Sequence, residues 1–171
     1  KLSESNNSND ISSDQLVKPR DISSKDSKSI TSDNKDRLDI DKLIPLRSAY
    51  PNEQEIKILI ESWLRGKAEI LNGLESEILN SVARPSLFNR VIEQRKKDSI
   101  LGQKQIINAS ITSINIVQRS NNRIAADVEL NYKDKRISSS GETLSETVIP
   151  TLKVKYIIGK DKNNWQVVDY I

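Results

Sequence analysis

The sequence predicts an α+β domain in which about three N-terminal helices pack on a curled four-stranded antiparallel sheet. Between residues 53 and 101 the apolar residues recur every three or four positions, as they do on one face of a helix. Between residues 103 and 171 they recur mostly at every second position, as they do along a strand. The two Trp, four Tyr and one Phe all lie at or after Tyr50. The core must therefore form from the part of the chain that follows.

The first part of the chain, residues 1–44, has a different composition from the rest. It is rich in Ser, Asp, Asn and Lys and contains no aromatic residue. A segment with so little apolar surface cannot offset the entropy that it loses on ordering. We therefore predict a disordered polar linker over residues 1–44 and a folded domain over residues 45–171. Because the chain starts with Lys1, we interpret it as a piece of a longer protein.

The composition argues against several classes of function. The chain has no Cys and no His, so it lacks the thiolate nucleophile and the commonest general base and metal ligand. We predict no enzyme activity, no cofactor and no metal site. The net charge of +3 is small, and Arg95-Lys96-Lys97 fits a solvated helix end, so nucleic-acid binding is not expected. No run of eighteen apolar residues could span a membrane.

The first predicted helix covers residues 53–71, and the sheet is expected to curl around it. Pro51 precedes it, and Glu53 and Glu55 place negative charge in its first turn, where the helix dipole favours it. Gly66 lies inside the helix and should cost about 1 kcal/mol relative to Ala.

Two shorter helices are predicted over residues 74–82 and 86–101. Asn72-Gly73, Pro85 and Gly102 mark the breaks around them. The residues expected to face inward from these two helices are Leu74, Ile78, Leu79, Val82, Leu87, Val91, Ile100 and Leu101.

Four strands should follow, with a hairpin turn at residues 120–122 and loops at residues 135–142 and 159–164. The predicted strands cover residues 103–119, 123–134, 143–158 and 165–171. In the first strand the alternation slips at Thr112-Ser113, which indicates a bulge. In the third strand, Pro150 favours an edge position or a bulge. In the second strand, the alternation points the even-numbered residues Ile124, Ala126, Val128, Leu130 and Tyr132 inward and Ala125 outward.

Lys67 is a candidate partner-binding residue, because it follows Trp63 by four positions and so lies near the apolar stripe. Its stem could simply pack while the ammonium group reaches solvent. Alternatively, it could stand at the rim of a pocket and meet a carboxylate of a partner.

The curled sheet is expected to form a cone around the first helix. Three aromatic residues, Tyr132, Tyr156 and Trp165, are candidate anchors for a partner at the open end of this cone. Trp165 is also expected in the core, as is Trp63. In the last strand, Asp169 is in phase with Trp165 and could face inward, or could be an ordinary solvated residue, whereas Tyr170 falls on the opposite face.

The order and spacing of several short motifs resemble the intermembrane-space (IMS) domain of the chloroplast division proteins named for accumulation and replication of chloroplasts, and of their cyanobacterial relatives. Trp63-Leu64-Arg65-Gly66-Lys67-Ala68 resembles the Trp-x-x-x-Lys-Ala helix of that family. Pro85-Ser86-Leu87 and the residues Arg123 to Leu130 are similar to a later helix and to the second strand. Tyr156 and Trp165-Gln166-Val167 resemble the closing strands. The likeness covers residues 53–171.

This resemblance implies a non-catalytic domain with a cone-like fold of the nuclear-transport-factor-2 (NTF2) type. It also implies a parent protein with a J-like region and one membrane span before the linker. In that family the domain binds the tail of a membrane-bound division protein and so couples the division ring to a membrane partner. The expected location is the periplasmic or intermembrane side, although the residues themselves leave the cytoplasmic side open.

Two further points stay open at this stage. The partner's tail could bind at the open end of the cone or add along the edge strand near Pro150, and the domain could also self-associate. The alternative functions are a small-molecule or lipid-binding NTF2-like carrier or enzyme domain, and an accessory domain of an unrelated membrane protein.

Overall fold

The computed structural model of the chain describes residues 44–171. Except for Ile44, the linker predicted over residues 1–44 lies outside the described residues. In the described residues, three helices come first and four strands follow, which confirms the predicted α+β order. The elements are α1 (Glu53–Leu71), α2 (Glu77–Val82), α3 (Pro85–Ile100), β1 (Gln103–Arg119), β2 (Arg123–Ser138), β3 (Thr143–Asp161) and β4 (Asn164–Tyr170).

Helix α1 begins with a capping box, in which side chains at the helix start satisfy two free main-chain donors. The Oδ1 of Asn52 accepts from the amide of Glu55 at 2.9 Å, and Oε2 of Glu55 accepts from the amide of Asn52 at 2.7 Å. The apolar stripe is buried as predicted, with Ile56, Leu59, Ile60 and Trp63 at 0 % exposure. Among the described residues, no helix has the length and apolar character needed to cross a lipid bilayer.

Gly66 is where α2 comes closest to α1. A Cβ added at Gly66 would lie 3.0 Å from Cβ of Leu79, which is itself completely buried. The missing side chain therefore lets the two helices pack together. This close packing explains why α1 contains a glycine in spite of its cost to helix stability.

The two shorter helices differ from the prediction at their ends. Helix α2 starts at Glu77, so Leu74 lies before it and is 58 % exposed. Ile100 and Leu101 were expected to face inward, but they are 85 % and 65 % exposed. The buried face of α3 ends at Asp98, and Ile100 lies about 200° further round the helix.

The strands form one antiparallel sheet in the order β1-β2-β3-β4. The β1–β2 register shifts between Ile111 and Ser113, so the predicted bulge is confirmed. Leu130 pairs with Leu152 but Tyr132 pairs with Ile149, which gives β3 one extra residue next to Pro150. The prediction of a bulge at this proline is therefore confirmed as well.

The two loops predicted over residues 135–142 and 159–164 are wrong, because the strands continue into them. β2 runs to Ser138 and β3 runs to Asp161, so that only tight turns remain. The strand residues inside the predicted loops, 135–138 and 159–161, contain Ile137 as their one large apolar side chain. They therefore lack the apolar alternation from which a strand is recognised.

The core lies between the helices and the inner face of the curled sheet. Its largest fully buried side chains are Trp63, Trp165, Ile56, Leu59, Ile60, Leu71, Leu79, Leu87, Ile124, Leu130, Ile158 and Val82. Ala125, which was expected to face outward, is only 4 % exposed. It pairs with Gln118 and Ile157, and a methyl group is too short to reach beyond these longer neighbours.

The incoming segment before α1 is tied to the last strand. Leu46 is 3 % exposed, and its carbonyl accepts from the amide of Trp165 at 2.8 Å. The indole Nε1 of Trp165 donates to the carbonyl of Ser48 at 2.8 Å. Trp165 is thus held on the buried side of the sheet.

Candidate functional site

Tyr170, the last residue of β4, lies at the centre of an aromatic and cationic cluster. Ile158 pairs with Val167 but Ile157 pairs with Asp169, so β4 contains one extra residue between these pairs. The bulge turns Tyr170 to the inner face, opposite Tyr156, and corrects the prediction that Tyr170 lies on the other face from Trp165. Its ring centroid is 6.0 Å from that of Trp63 and 6.0 Å from that of Tyr156.

Two cations contact the Tyr170 ring. The Nζ of Lys67 lies 5.0 Å from the ring centroid and donates to the hydroxyl at 3.3 Å. The guanidinium carbon of Arg90 lies 5.7 Å from the same centroid, and its Nη2 donates to Oδ1 of Asp169 at 2.6 Å. Both contacts have cation–π geometry, which is attractive because the face of the ring is electron-rich.

Asp169 lies at the rim of this cluster. The same bulge turns it outward, and its side chain is 48 % exposed. Asp169 is therefore not an inward-facing carboxylate. The hydrogen bond from Arg90, together with that from the Tyr170 amide, lowers the pKa of the Asp169 carboxyl. Asp169 therefore stays ionised and orients Arg90.

A pocket of about 340 Å³ opens beside Tyr170, between α1, α3 and the inner face of the sheet. We call it the Tyr170 pocket, and it is lined by Lys67, Leu71, Leu87, Arg90, Val91, Gln94, Gln105, Arg136 and Tyr170. Three of these side chains are cationic, and no acidic residue is among the described residues that line it. An apolar floor below fixed cations suits a ligand that joins a carboxylate or phosphate to an apolar group.

The third cation, Arg136, is fixed by a buried acid. Its Nη1 donates to Oδ1 of Asp98 at 2.9 Å, and Asp98 is 1 % exposed. Gln94 donates to the same oxygen at 3.0 Å. A buried carboxylate needs such partners, so this arrangement holds the guanidinium at the pocket in a defined position.

The side chain of Gln105 connects the pocket to β2. Gln105 is 7 % exposed and donates to Oδ2 of Asp134, and the hydroxyl of Tyr132 lies 3.5 Å from the same atom. Burial, with a smaller effect of Asp134, raises the pKa of Tyr132 to about 12. Burial also raises the pKa of Tyr156, so both phenols are neutral at physiological pH.

The four residues predicted to bind a partner lie in different environments. Lys67 lines the pocket, and Tyr132 is half-buried next to Asp134. Tyr156 is 2 % exposed behind Tyr170, and Trp165 is 1 % exposed below the incoming segment. The structure therefore brings Lys67 to the pocket and Tyr156 behind its Tyr170 wall, whereas Trp165 lies elsewhere in the core.

The sequence reasoning missed Tyr170, Arg90 and Arg136. A bulge that the alternation does not reveal hides the orientation of Tyr170. Arg136 lies in a segment that was predicted as a loop, and Arg90 is one of several basic residues on α3 with nothing local to distinguish it. Only the tertiary packing brings the three together.

The chain was also compared with known proteins. The model of the family described as ARC6-like, IMS domain, matches residues 57–168. In structure the chain is similar to the intermembrane space region of the chloroplast protein ARC6, with a TM-score of 0.58 and 12% identity over 71% of this chain and 95% of that chain. A second similar structure is Bd1075 of Bdellovibrio bacteriovorus, with a TM-score of 0.43 and 11% identity over 69% of this chain and 38% of that chain. Comparison with curated protein sequences found no significant match.

Proposed function

Because the chain belongs to the ARC6-like IMS domain family, a family of division-protein domains, we propose that it is a non-catalytic protein-binding domain of a membrane-anchored division protein. In this role it couples the division ring to a membrane partner. The observation that carries the proposal is the Tyr170 pocket, in which three cations surround an apolar floor.

The pocket fits an acidic group at or near the end of a partner's tail. Arg90 and Arg136 are each held by an aspartate, so their guanidinium planes are oriented before the partner arrives. Less conformational entropy is lost when such a group binds than when a free arginine does. Lys67 adds a third charge on the opposite wall.

The size of the pocket favours a tail over a large flat interface. A volume of about 340 Å³ is at the lower end of the range for ligand sites, enough for one or two side chains. The aromatic cluster of Tyr170, Trp63 and Tyr156 then provides a rigid wall for an apolar neighbour of the acidic group. Tyr132 lies beside this wall and can extend the contact.

We place the domain on the intermembrane or periplasmic side of its membrane. The support is the similarity to a region of ARC6 that is described as lying in the intermembrane space. The linker over residues 1–44 would then join the domain to a membrane anchor upstream. We also propose that residues 45–171 are the folded unit.

The carrier or enzyme alternative finds less support. The centre of the space between α1 and the sheet is filled by large side chains, among them Trp63 and Trp165 at 0 % and 1 % exposure. A lipid carrier needs that space to be empty.

To test the proposal, the full 171-residue chain is immobilised and exposed to detergent extract of membranes from the source cells. Captured proteins are quantified by mass spectrometry for the native chain, for Arg90→Glu and for Lys96→Glu. Lys96 is the matched control, because it lies on α3 with its side chain 64 % exposed and does not line the pocket. Circular dichroism first confirms that each variant is folded.

We expect a division-site membrane protein to be captured by the native chain and by Lys96→Glu, and to be lost with Arg90→Glu. A synthetic peptide of its tail should bind the native chain, and more weakly as salt increases, because the contact is ionic. Equal capture by all three chains would contradict the assignment of the pocket. Co-purification of a lipid or metabolite without any protein would favour the carrier instead.

A further inference from the structure

Within the described residues, the sheet has two unpaired edges. β4 pairs with β3 only from Tyr156 to Asp161, and Lys155 bonds Ile171, so β3 is free before Lys155. In the part of the chain that the structure describes, β1 has no strand on its outer side along its whole length. An unpaired edge presents a row of free main-chain donors and acceptors.

The free edge of β3 is protected against pairing. It contains Pro150 next to a bulge, and Glu146 and Lys153 lie along it. Proline, bulges and charged side chains are the features with which proteins prevent a strand from adding to an edge.

The free edge of β1 has much less protection of this kind. The fourteen-residue stretch QIINASITSINIVQ, from Gln105 to Gln118, contains no charged residue, no proline and no glycine. Its bulge at Thr112 leaves Gln105 to Ile111 as a regular segment. A long, uncharged edge rich in isoleucine is a good template for one more strand.

The register fixes which residues of β1 offer their main chain. Lys155 exchanges both hydrogen bonds with Ile171 and so faces away from β2. Asp127 of β2 is the partner of Lys155. Because main-chain groups alternate along a strand, the amide and carbonyl of Asp127 face β1, where Asp127 pairs with Asn115. The same phase turns the main-chain groups of Ile107, Ala109 and Ile111, before the bulge, toward the free edge.

The side chains of these residues point to the helix layer, where a groove separates α1 from β1. Its volume is about 520 Å³. On the helix side, Leu64, Ala68 and Leu74 provide apolar surface. Glu61 and Glu69 place two acids there, and Arg65 places one cation. The groove thus combines free main-chain groups, an apolar wall and a lining with one more acid than base.

We propose that the edge of β1 from Ile107 to Ile111 binds an extended peptide segment of a partner protein as a fifth strand. The segment carries small apolar residues at alternate positions, which face Leu64 and Ala68, and a basic residue that meets Glu61 or Glu69. This site is separate from the Tyr170 pocket, and its ligand has the opposite charge.

A second copy of this chain is a poorer occupant than a basic peptide. Pairing of β1 with itself would bring Glu61 and Glu69 from both copies to one seam, with only Arg65 of each copy to offset these four acids. Like charges placed together in this way oppose association.

The test uses the full chain and a nine-residue probe of alternating Val and Thr with Arg at its centre, acetylated and amidated at its ends. The blocked ends remove the carboxylate that the Tyr170 pocket would recognise. A second probe carries Glu in place of Arg. Binding is followed by amide NMR, both as chemical-shift titration and as hydrogen exchange.

We expect the Arg probe to slow exchange of the amides of Ile107, Ala109 and Ile111 by about tenfold. Ala109→Pro should abolish binding and leave the fold intact, because the Ala109 amide does not take part in the β1–β2 ladder. Arg90→Glu should leave the affinity unchanged, which separates this site from the Tyr170 pocket.

The acids give a matched pair of variants. Glu69→Lys should weaken the Arg probe about threefold, as expected for the loss of a surface ion pair, and should favour the Glu probe. Glu75→Lys makes the same charge change outside the groove and should have no effect. No binding of either probe, binding that survives Ala109→Pro, or protection of the same amides that grows with chain concentration alone would each overturn the proposal.

Discussion

Tyr170 contributes to stability and to the shape of the pocket at the same time. Its ring contacts Trp63 and Tyr156, and it is 36 % exposed. Tyr170→Ala should lower the free energy of unfolding by about 2 kcal/mol, less than a fully buried ring would cost. Tyr170→Phe keeps the ring and loses only the bond to Lys67, so it should cost less than about 0.5 kcal/mol. Urea denaturation of both variants measures the difference, and equal losses would refute the aromatic contribution.

Tyr132 should make the domain sensitive to alkaline pH. Its pKa is raised from 10.0 to about 12, mainly by burial. Below about pH 10 the phenol is protonated in both states and its contribution to stability is complete. As the pH rises from about 10 to 12, the unfolded state loses the proton first, so this stability is lost.

The variant that checks this dependence is Tyr132→Phe. Its urea midpoint should fall less than that of the native chain between about pH 8 and about pH 11, because Phe has no proton to lose. Tyr156 remains in both proteins and cancels from the comparison. Two parallel curves would mean that Tyr132 ionises in the folded state as easily as in the unfolded one.

At the scale of single residues, the sequence predicted the position of Lys67 near the apolar stripe, but it did not predict that Tyr170, Arg90 and Arg136 lie beside it. Lys67 could be placed because a helix has a fixed period, so four positions after Trp63 lies on the same face. Tyr170 could not be placed, because a single extra residue in β4 exchanges the two faces of a strand. Arg90 and Arg136 are 46 residues apart and become neighbours only through packing.

At the scale of the elements, the start of α1 gives a clean test. Asn52 accepts from the amide of Glu55, whereas Ser76, the corresponding residue before α2, makes no side-chain capping bond. Asn52→Ala should therefore cost about 1 kcal/mol of unfolding free energy, and Ser76→Ala should cost close to nothing. Chemical denaturation compares the two, and a similar cost for both would show that the capping bond of Asn52 is not what stabilises α1.

The elements also show which patterns a sequence reveals. α1 was predicted with the correct ends, because its apolar stripe, the acids of its first turn and the Asn72-Gly73 stop agree. The bulges at Ser113 and Pro150 were predicted from a phase slip and from a missing amide donor. The last four residues of β2 and the last three of β3 were missed, because these mostly polar residues give no apolar alternation even though the ladder continues.

At the scale of the whole molecule, the order of helices and strands predicted the fold class, whereas the binding surfaces depend on closure of the sheet around α1. That closure places β4 beside α3, with Arg90 bonded to Asp169, and leaves β1 as an open edge. Neither result is a property of any one segment. A division-protein domain with an anion-binding pocket and a separate strand-binding edge could contact two partners at once.

The boundary proposed at residue 45 can be tested by truncation. Residues 45–52 contain the buried Leu46, the carbonyl of Ser48 that accepts from Trp165, and the Asn52 cap. A fragment of residues 45–171 should unfold at the same urea concentration as the full chain, because the part removed has the composition of a linker. A fragment of residues 53–171 should lose about 4 kcal/mol, the sum of a buried leucine, two hydrogen bonds and a helix cap.

Trp fluorescence during urea denaturation compares the three proteins directly, because Trp165 is the residue that loses its partners. Equal stability of the two fragments would mean that the incoming segment does not support the core. A 45–171 fragment less stable than the full chain would move the boundary toward the N-terminus. The expected order, with the full chain equal to 45–171 and both above 53–171, would show that the folded unit begins with the segment that covers Trp165.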